Sequence, residues 1–124
     1  MTEPHGSEIP DVVLDYPGLL SRLNGDESFA RELLTLFLTD VPPKLNDLRR
    51  AIDDTQNERV ERLAHSLKGT SATVKAKRCE WVAFELELAA EAGAAQRWPE
   101  LGRSLDAEFA AVVDWAREHG LEVE

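Results

Sequence analysis

Apolar residues recur at helical spacing along nearly the whole chain, and no stretch alternates as a strand would. Residues 1–10 carry Pro4, Gly6 and Pro10 without periodicity and are expected to be a flexible tail. Val12-Val13-Leu14 is a short apolar run, read as extended chain or a helical turn covering one end of the core. Asp15 can cap a short helix with Pro17 in its first turn and Leu19, Leu20 and Leu23 on one face, closed by Asn24-Gly25. Asp26 caps the next helix. Its stripe runs through Phe29, Ala30, Leu33, Leu34, Phe37, Leu38, Val41, Leu45, Leu48 and Ile52. Pro42-Pro43 interrupts that run. The register survives on both sides, so the pattern predicts one long helix kinked near Thr39–Val41.

A loop from Asp53 to Asn57 follows, with a Thr55/Glu58 capping box or an Asn57 cap. The central helix spans about 58–74. At 100° per residue from Leu63, its apolar face of Val60, Leu63, Leu67, Thr70, Ser71 and Val74 centres near about 40°, and His65 falls at about 200°, almost opposite. A helix over about 76–92 places Cys79, Val82, Ala83, Leu86, Ala89 and Ala90 on the core face. A second strip, Trp81, Phe84 and Leu88, packs on another neighbour or forms a docking patch. Gly93 ends it. The last helix starts at Pro99, carries Leu101, Leu105, Phe109, Val112, Val113 and Ala116, with Trp115 to one side, and closes with Arg117, His119 and Gly120. The sum is all-α: an up-and-down antiparallel four-helix bundle over residues 11–120 with a short additional N-terminal helix, and a C-terminal tail at 121–124.

At 124 residues, 43% hydrophobic and 31% charged, the chain has room for one domain with one core. No apolar run approaches the ~18 residues of a membrane span, and the N-terminus has no basic start or apolar stretch of a signal peptide. The lone Cys79 excludes an internal disulfide framework. These features predict a cytoplasmic protein, and the starting Met and tail-like ends favour a free-standing one. The net charge of −10 argues against nucleic acid or an anionic membrane as the main partner. Yet Asn57–Arg78 holds six basic residues and two acidic ones, a local +4 that leaves −14 for the rest. A basic island around His65 suits an acidic or phosphorylated partner surface. His5 and His119 read as a tail residue and a helix-end residue. With three scattered histidines and one cysteine, no metal site is expected.

Gly69 asks for a reason, because glycine inside a helix costs roughly 1 kcal/mol against Ala. It lies one turn beyond His65, with Ser66 beside the histidine and Ala72 two turns on. The string Ala64-His65-Ser66-Leu67-Lys68-Gly69-Thr70-Ser71-Ala72 closely resembles the signature of the histidine-containing phosphotransfer (HPt) domain family, fixing His65, Leu67, Lys68 and Gly69 in register. The resemblance runs from about Leu14 to Gly93 and includes the opening Leu23-Asn24-Gly25-Asp26 before a Leu/Phe-rich helix. It implies a four-helix bundle that acts as a phosphocarrier, not an enzyme, with His65 as phosphoacceptor. The phosphoryl group would pass to and from an aspartate of a response-regulator receiver domain, directly or within a hybrid sensor histidine kinase. Mg²⁺ belongs to that partner, and the chain needs no cofactor of its own. The resemblance also implies that Lys68 contacts phosphoryl oxygens and that Glu87, in the Leu86-Glu87 pair, orients the imidazole. Ser66, Gly69, Ala72 and Arg62 would face the partner, and the protein would be a monomer.

Two positions depart from the family pattern. Lys75 stands where a glycine commonly turns the chain ten residues after the histidine, and Cys79 where leucine is common. A left-handed backbone at Lys75 would cost roughly 1–2 kcal/mol. Two other classes compete. A histidine-kinase phosphoacceptor domain usually has an acidic residue after its histidine and a proline four further on; Ser66 and Thr70 stand in those places. A receiver-binding helical module without phosphoryl transfer is the alternative, and retention of a phosphoryl label separates it from a carrier.

Overall fold

The computed structural model describes residues 8–121. Five helices follow one another: α1 Tyr16–Arg22, α2 Glu27–Asp53, α3 Asn57–Thr73, α4 Lys77–Glu91 and, after a 3-10 turn Ala95–Arg97, α5 Trp98–Glu118. Helices α2 to α5 form the bundle, in contact as α2–α3, α3–α4, α4–α5 and α2–α5, while α1 leans on α2. The α3–α4 pair packs most extensively of all. The α2–α5 seam is thinner and opens into a cleft of about 270 Å³ beside Leu45, Leu48, Ile52 and Gly102. Among the described residues, no helix is long and apolar enough to cross a membrane.

The helix starts follow local chemistry. Asp15 accepts from the Gly18 N–H and Asp26 from the Phe29 N–H, each at 3.0 Å, holding amides that have no partner within their own helix. At α3 the expected caps do not form. Gln56 occupies the N-cap without a side-chain bond, Thr55 turns left-handed, and the Asn57 amide instead donates to the Ala90 carbonyl of α4 at 3.0 Å. The α3–α4 packing takes the side chain that the local motif would have used. Helix α2 runs unbroken through Pro42 and Pro43, as its continuous apolar register requires.

The buried stripe of α3 is Val60, Ala64, Leu67 and Ser71, followed by Val74, while Leu63 and Thr70 are only half-buried. The face is therefore rotated toward Ala64 relative to the sequence reading. The small Ala64 side chain suits the close α3–α4 seam, where α4 buries Ala83 and Ala90. All six expected core residues of α4 are buried, and Glu87 joins them. In α5, Leu105, Val112 and Ala116 are buried and Leu101 is half-buried; Phe109 and Val113 stay half-buried where the α2–α5 seam is open. Trp98, not singled out from the pattern, is the largest fully buried side chain.

The turn between α3 and α4 explains Lys75. Its φ is +62°, the left-handed conformation that glycine adopts without cost. The Ala76 N–H reaches the Ser71 carbonyl at 2.9 Å and the Lys75 N–H reaches Ala72 at 3.1 Å, a Schellman closure of α3. The Lys75 carbonyl accepts from the Asp15 N–H at 2.9 Å, and Arg22 donates to the Ala72 and Thr73 carbonyls. The N-terminal segment thus holds the junction in place.

Of the two expected tails, residues 1–7 (with His5) and 122–124 lie outside the described residues. Residues 8–10 are tied down: Ile9 packs on the core, and the Pro10 carbonyl accepts from Arg78 at 2.8 Å. Leu121, assigned to the C-terminal tail by its position after Gly120, is instead buried in the core. It is the apolar residue just past the last Schellman turn, where such a contact commonly forms.

Candidate functional site

Three residues, two from α3 and one from α4, meet at the α3–α4 seam. The His65 side chain is 67% exposed, and its Nδ1 lies 2.8 Å from Oε2 of Glu87. Ionised Glu87 can only accept, so the imidazole donates through Nδ1–H. That fixes the tautomer and leaves Nε2, with its lone pair, as the nitrogen directed away from this contact. Lys68, one turn beyond His65, places Nζ 2.9 Å from Oε1 of the same carboxylate. Its ammonium also lies 4.4 Å from the centroid of Phe84, so the ring seats the cation.

Glu87 is largely buried, and burial by itself raises its pKa. The hydrogen bonds and charges of Lys68 and His65 outweigh that, and the carboxyl sits below the ordinary glutamate value. The result is an acceptor that stays ionised and holds two cationic or polar donors at once.

Gly69 is exposed on the ridge beside His65. A Cβ built there would meet nothing within 4 Å, so the chain's own packing does not require glycine. Arg62 is exposed three residues before His65. Ala72 is half-buried, with its carbonyl engaged by Arg22. Ser66 is also half-buried, and its Oγ accepts from Lys44 of α2 at 2.9 Å. The structure therefore brings His65, Lys68 and Glu87 into direct contact. It leaves Gly69 and Arg62 open and gives Ser66 and Ala72 partners inside the fold.

The basic island is thinner in space than in sequence. Arg59 lies 4.0 Å from Asp47, and Lys68 pairs with Glu87. Arg78 makes a two-pronged pair with Glu108 at 2.7 and 2.9 Å; bonding to that carboxylate raises its pKa further. Arg78 is thus a structural strut between α4 and α5. Cys79 is buried, which pushes its thiol up to about 12 and makes it inert packing. The Trp81/Phe84/Leu88 strip divides: Trp81 packs on the core, Phe84 seats Lys68, and Leu88 is exposed. Among the described residues, no group of three or more His, Cys, Asp or Glu is placed to hold a metal ion.

Two site residues escaped the sequence reading. Phe84 was visible only as part of an apolar strip. Lys44 sits between Val41 and Leu48 at helical spacing, on the edge of the α2 stripe; a charge at that edge was the available signal.

Comparison with known proteins bears on the family and the fold. The model of the Hpt domain family matches residues 32–115. The fold superposes on the crystal structure of histidine-containing phosphotransfer protein B (HptB) from Pseudomonas aeruginosa PAO1 with a TM-score of 0.81 and 29% sequence identity. The match covers 89% of this chain and 96% of that one. No curated protein is similar enough in sequence to add to this. A family match over most of the chain, on a helical bundle of the same shape, identifies this protein as a member of the Hpt domain family, the histidine-containing phosphotransfer proteins of phosphorelays.

Proposed function

We propose that the protein carries a phosphoryl group on Nε2 of His65, to and from an aspartate of response-regulator receiver domains. The observation that carries this reading is the exposed His65 ring held through Nδ1 by Glu87. The Nε2 lone pair attacks phosphorus of the receiver's aspartyl phosphate, forming the N–P bond. The bond from phosphorus to the aspartate oxygen breaks, and its electron pair returns to the carboxylate. The imidazole gains positive charge as the N–P bond forms, and Glu87 stabilises it through the Nδ1–H bond. Lys68, three residues along the same helix, rests against Glu87 and Phe84, and its flexible stem lets the ammonium turn from that carboxylate to the phosphoryl oxygens as they arrive. The open space at Gly69 lets the partner's active site close over the ring. The reverse step returns the group to a second receiver.

On this reading the chain is a phosphocarrier and not an enzyme: positioning and charge stabilisation come mostly from the receiver's acidic pocket and its Mg²⁺. The chain needs no cofactor, works in the cytoplasm and acts as a monomer. Arg62 and Gly69 line the approach, with Ser66 and Ala72 behind them.

Incubation with a panel of phosphorylated receiver domains tests this, with wild type and His65→Gln side by side and acid-labile, base-stable label as the readout. Label on wild type alone is expected. Label on His65→Gln would remove His65 from the chemistry. Binding without label on either protein would favour a receiver-binding module that does not transfer.

A further inference from the structure

Lys68 lies one turn beyond the histidine on its own helix, yet its charge is already committed to Glu87 and its position to Phe84. Lys44 approaches the same face from the other flank, from α2, and its partners are neutral. Its Nζ donates to Ser66 Oγ at 2.9 Å and lies 3.4 Å from Thr70 Oγ1. These two hydroxyls belong to the residues immediately after His65 and Gly69. Among the described residues, no carboxylate lies within ion-pair distance of Lys44.

The hydroxyls hold the ammonium in a defined place. The Thr70 hydroxyl proton is used within α3, donated to the Ser66 carbonyl at 2.9 Å, which leaves its oxygen lone pairs for Lys44. Ser66 Oγ accepts from Lys44 and keeps its own proton to donate, made more acidic by the adjacent positive charge. Lys44 is half-buried, so its charge is screened less than that of a fully extended surface lysine. The His65–Gly69 ridge is thus bordered on the α4 side by a neutralised pair, Lys68 with Glu87, and on the α2 side by an uncompensated cation backed by two hydroxyls.

We propose that Lys44, fixed by Ser66 and Thr70, is a specificity-determining residue that attracts the carboxylates surrounding the receiver's phosphorylated aspartate, so that α2 as well as α3 reads the partner. This rests on the phosphocarrier reading given above. A charge in this place acts on encounter and orientation of an acidic partner. It changes the affinity for the phosphorylated receiver more than the rate once bound.

The test measures transfer from one phosphorylated receiver over a range of its concentrations, at low and high salt, for wild type, Lys44→Met and Lys44→Arg. Met keeps the apolar stem and removes the charge; Arg restores the charge. Thermal melts and helicity identify any variant that fails to fold, in which case Lys44→Gln is substituted. The expected result is an apparent KM roughly five- to tenfold higher for Lys44→Met at low salt. That gap shrinks toward one at high ionic strength, kcat shows the smaller change, and Lys44→Arg recovers most of the loss. A folded Lys44→Met with wild-type KM overturns the proposal, and so does a loss that salt does not diminish or Arg does not restore. If wild type itself takes no label from any receiver, the phosphocarrier reading fails and the proposal falls with it. Normal labelling of wild type with an unaltered Lys44→Met defeats the proposal alone.

Discussion

Nδ1 of His65 lies 2.8 Å from Oε2 of Glu87, a contact that spans 22 positions of sequence and joins the two most closely packed helices. Glu87→Ala removes the acceptor and frees the ring to adopt either tautomer and to swing. Phosphotransfer from a receiver is expected to fall about tenfold or more. Glu87→Gln retains a carbonyl acceptor and is expected to fall less. Single-turnover label transfer checks both, and equal loss in the two variants would show that the Glu87 charge, not the hydrogen bond, matters.

Glu87 also predicts a pH dependence of stability. Burial raises its pKa, but Lys68 and His65 bring it below the ordinary value on balance. The unfolded carboxyl titrates near about 4.3, so its contribution is fully present above that pH and is lost as pH falls through the lower folded value. Urea midpoints between neutral pH and pH 3 are expected to fall less steeply for Glu87→Gln than for wild type over that acid range. Superimposable acid limbs would contradict it.

Gly69 sets stability against function. Nothing lies within 4 Å of a Cβ at this position, and the helix gains roughly 1 kcal/mol from Gly→Ala. Gly69→Ala should melt higher by about 4 °C. Gly69→Leu should fold as well and lose transfer from receivers, because the added side chain stands in the approach to His65. A Gly69→Leu variant with wild-type transfer would show that the space beside the ring is not used.

Thr55 and Lys75 are non-glycine residues in the left-handed region, at φ +52° and +62°, each just beyond a helix C-terminus. Thr55→Gly and Lys75→Gly are each expected to stabilise the fold by about 1 kcal/mol, after allowing for the greater freedom of glycine in the unfolded chain. The two sites flank α3, about 25 Å apart along its length, so their effects should add. Denaturant melts of the single and double variants check this.

Cys79 is buried with its thiol pushed up to about 12. A thiol-specific reagent at neutral pH should leave the folded protein unmodified and label it fully once unfolded. Rapid labelling of the native state would place Cys79 in a part of the molecule that opens readily.

The pattern of apolar residues was enough for the helices, and at several ends the local signals agree with it: Asp15 and Asp26 begin helices, and Gly93 and Gly120 end them. The outward position of His65 followed from periodicity alone. The turn at Lys75 shows where the pattern is silent. The Schellman bonds and the Asp15 and Arg22 contacts together hold a conformation that the residue type disfavours. Likewise, Asn57 left its local capping role for the Ala90 carbonyl on another helix. Lys44 and Phe84 were not legible as site residues because their place depends on how α2 and α4 are rotated about α3. Single-helix periodicity cannot supply that rotation.

The unequal packing of the bundle divides it into a firm half and a yielding half. The histidine rides on α3–α4, whose contacts are the most extensive, while the α2–α5 seam is thin and cleft. In hydrogen–deuterium exchange, the amides around His65 and Glu87 would then open only with global unfolding, and those of α5 facing the cleft would exchange through smaller, cheaper fluctuations. A carrier built in this way can absorb strain on its far side while the imidazole meets each partner in the same orientation.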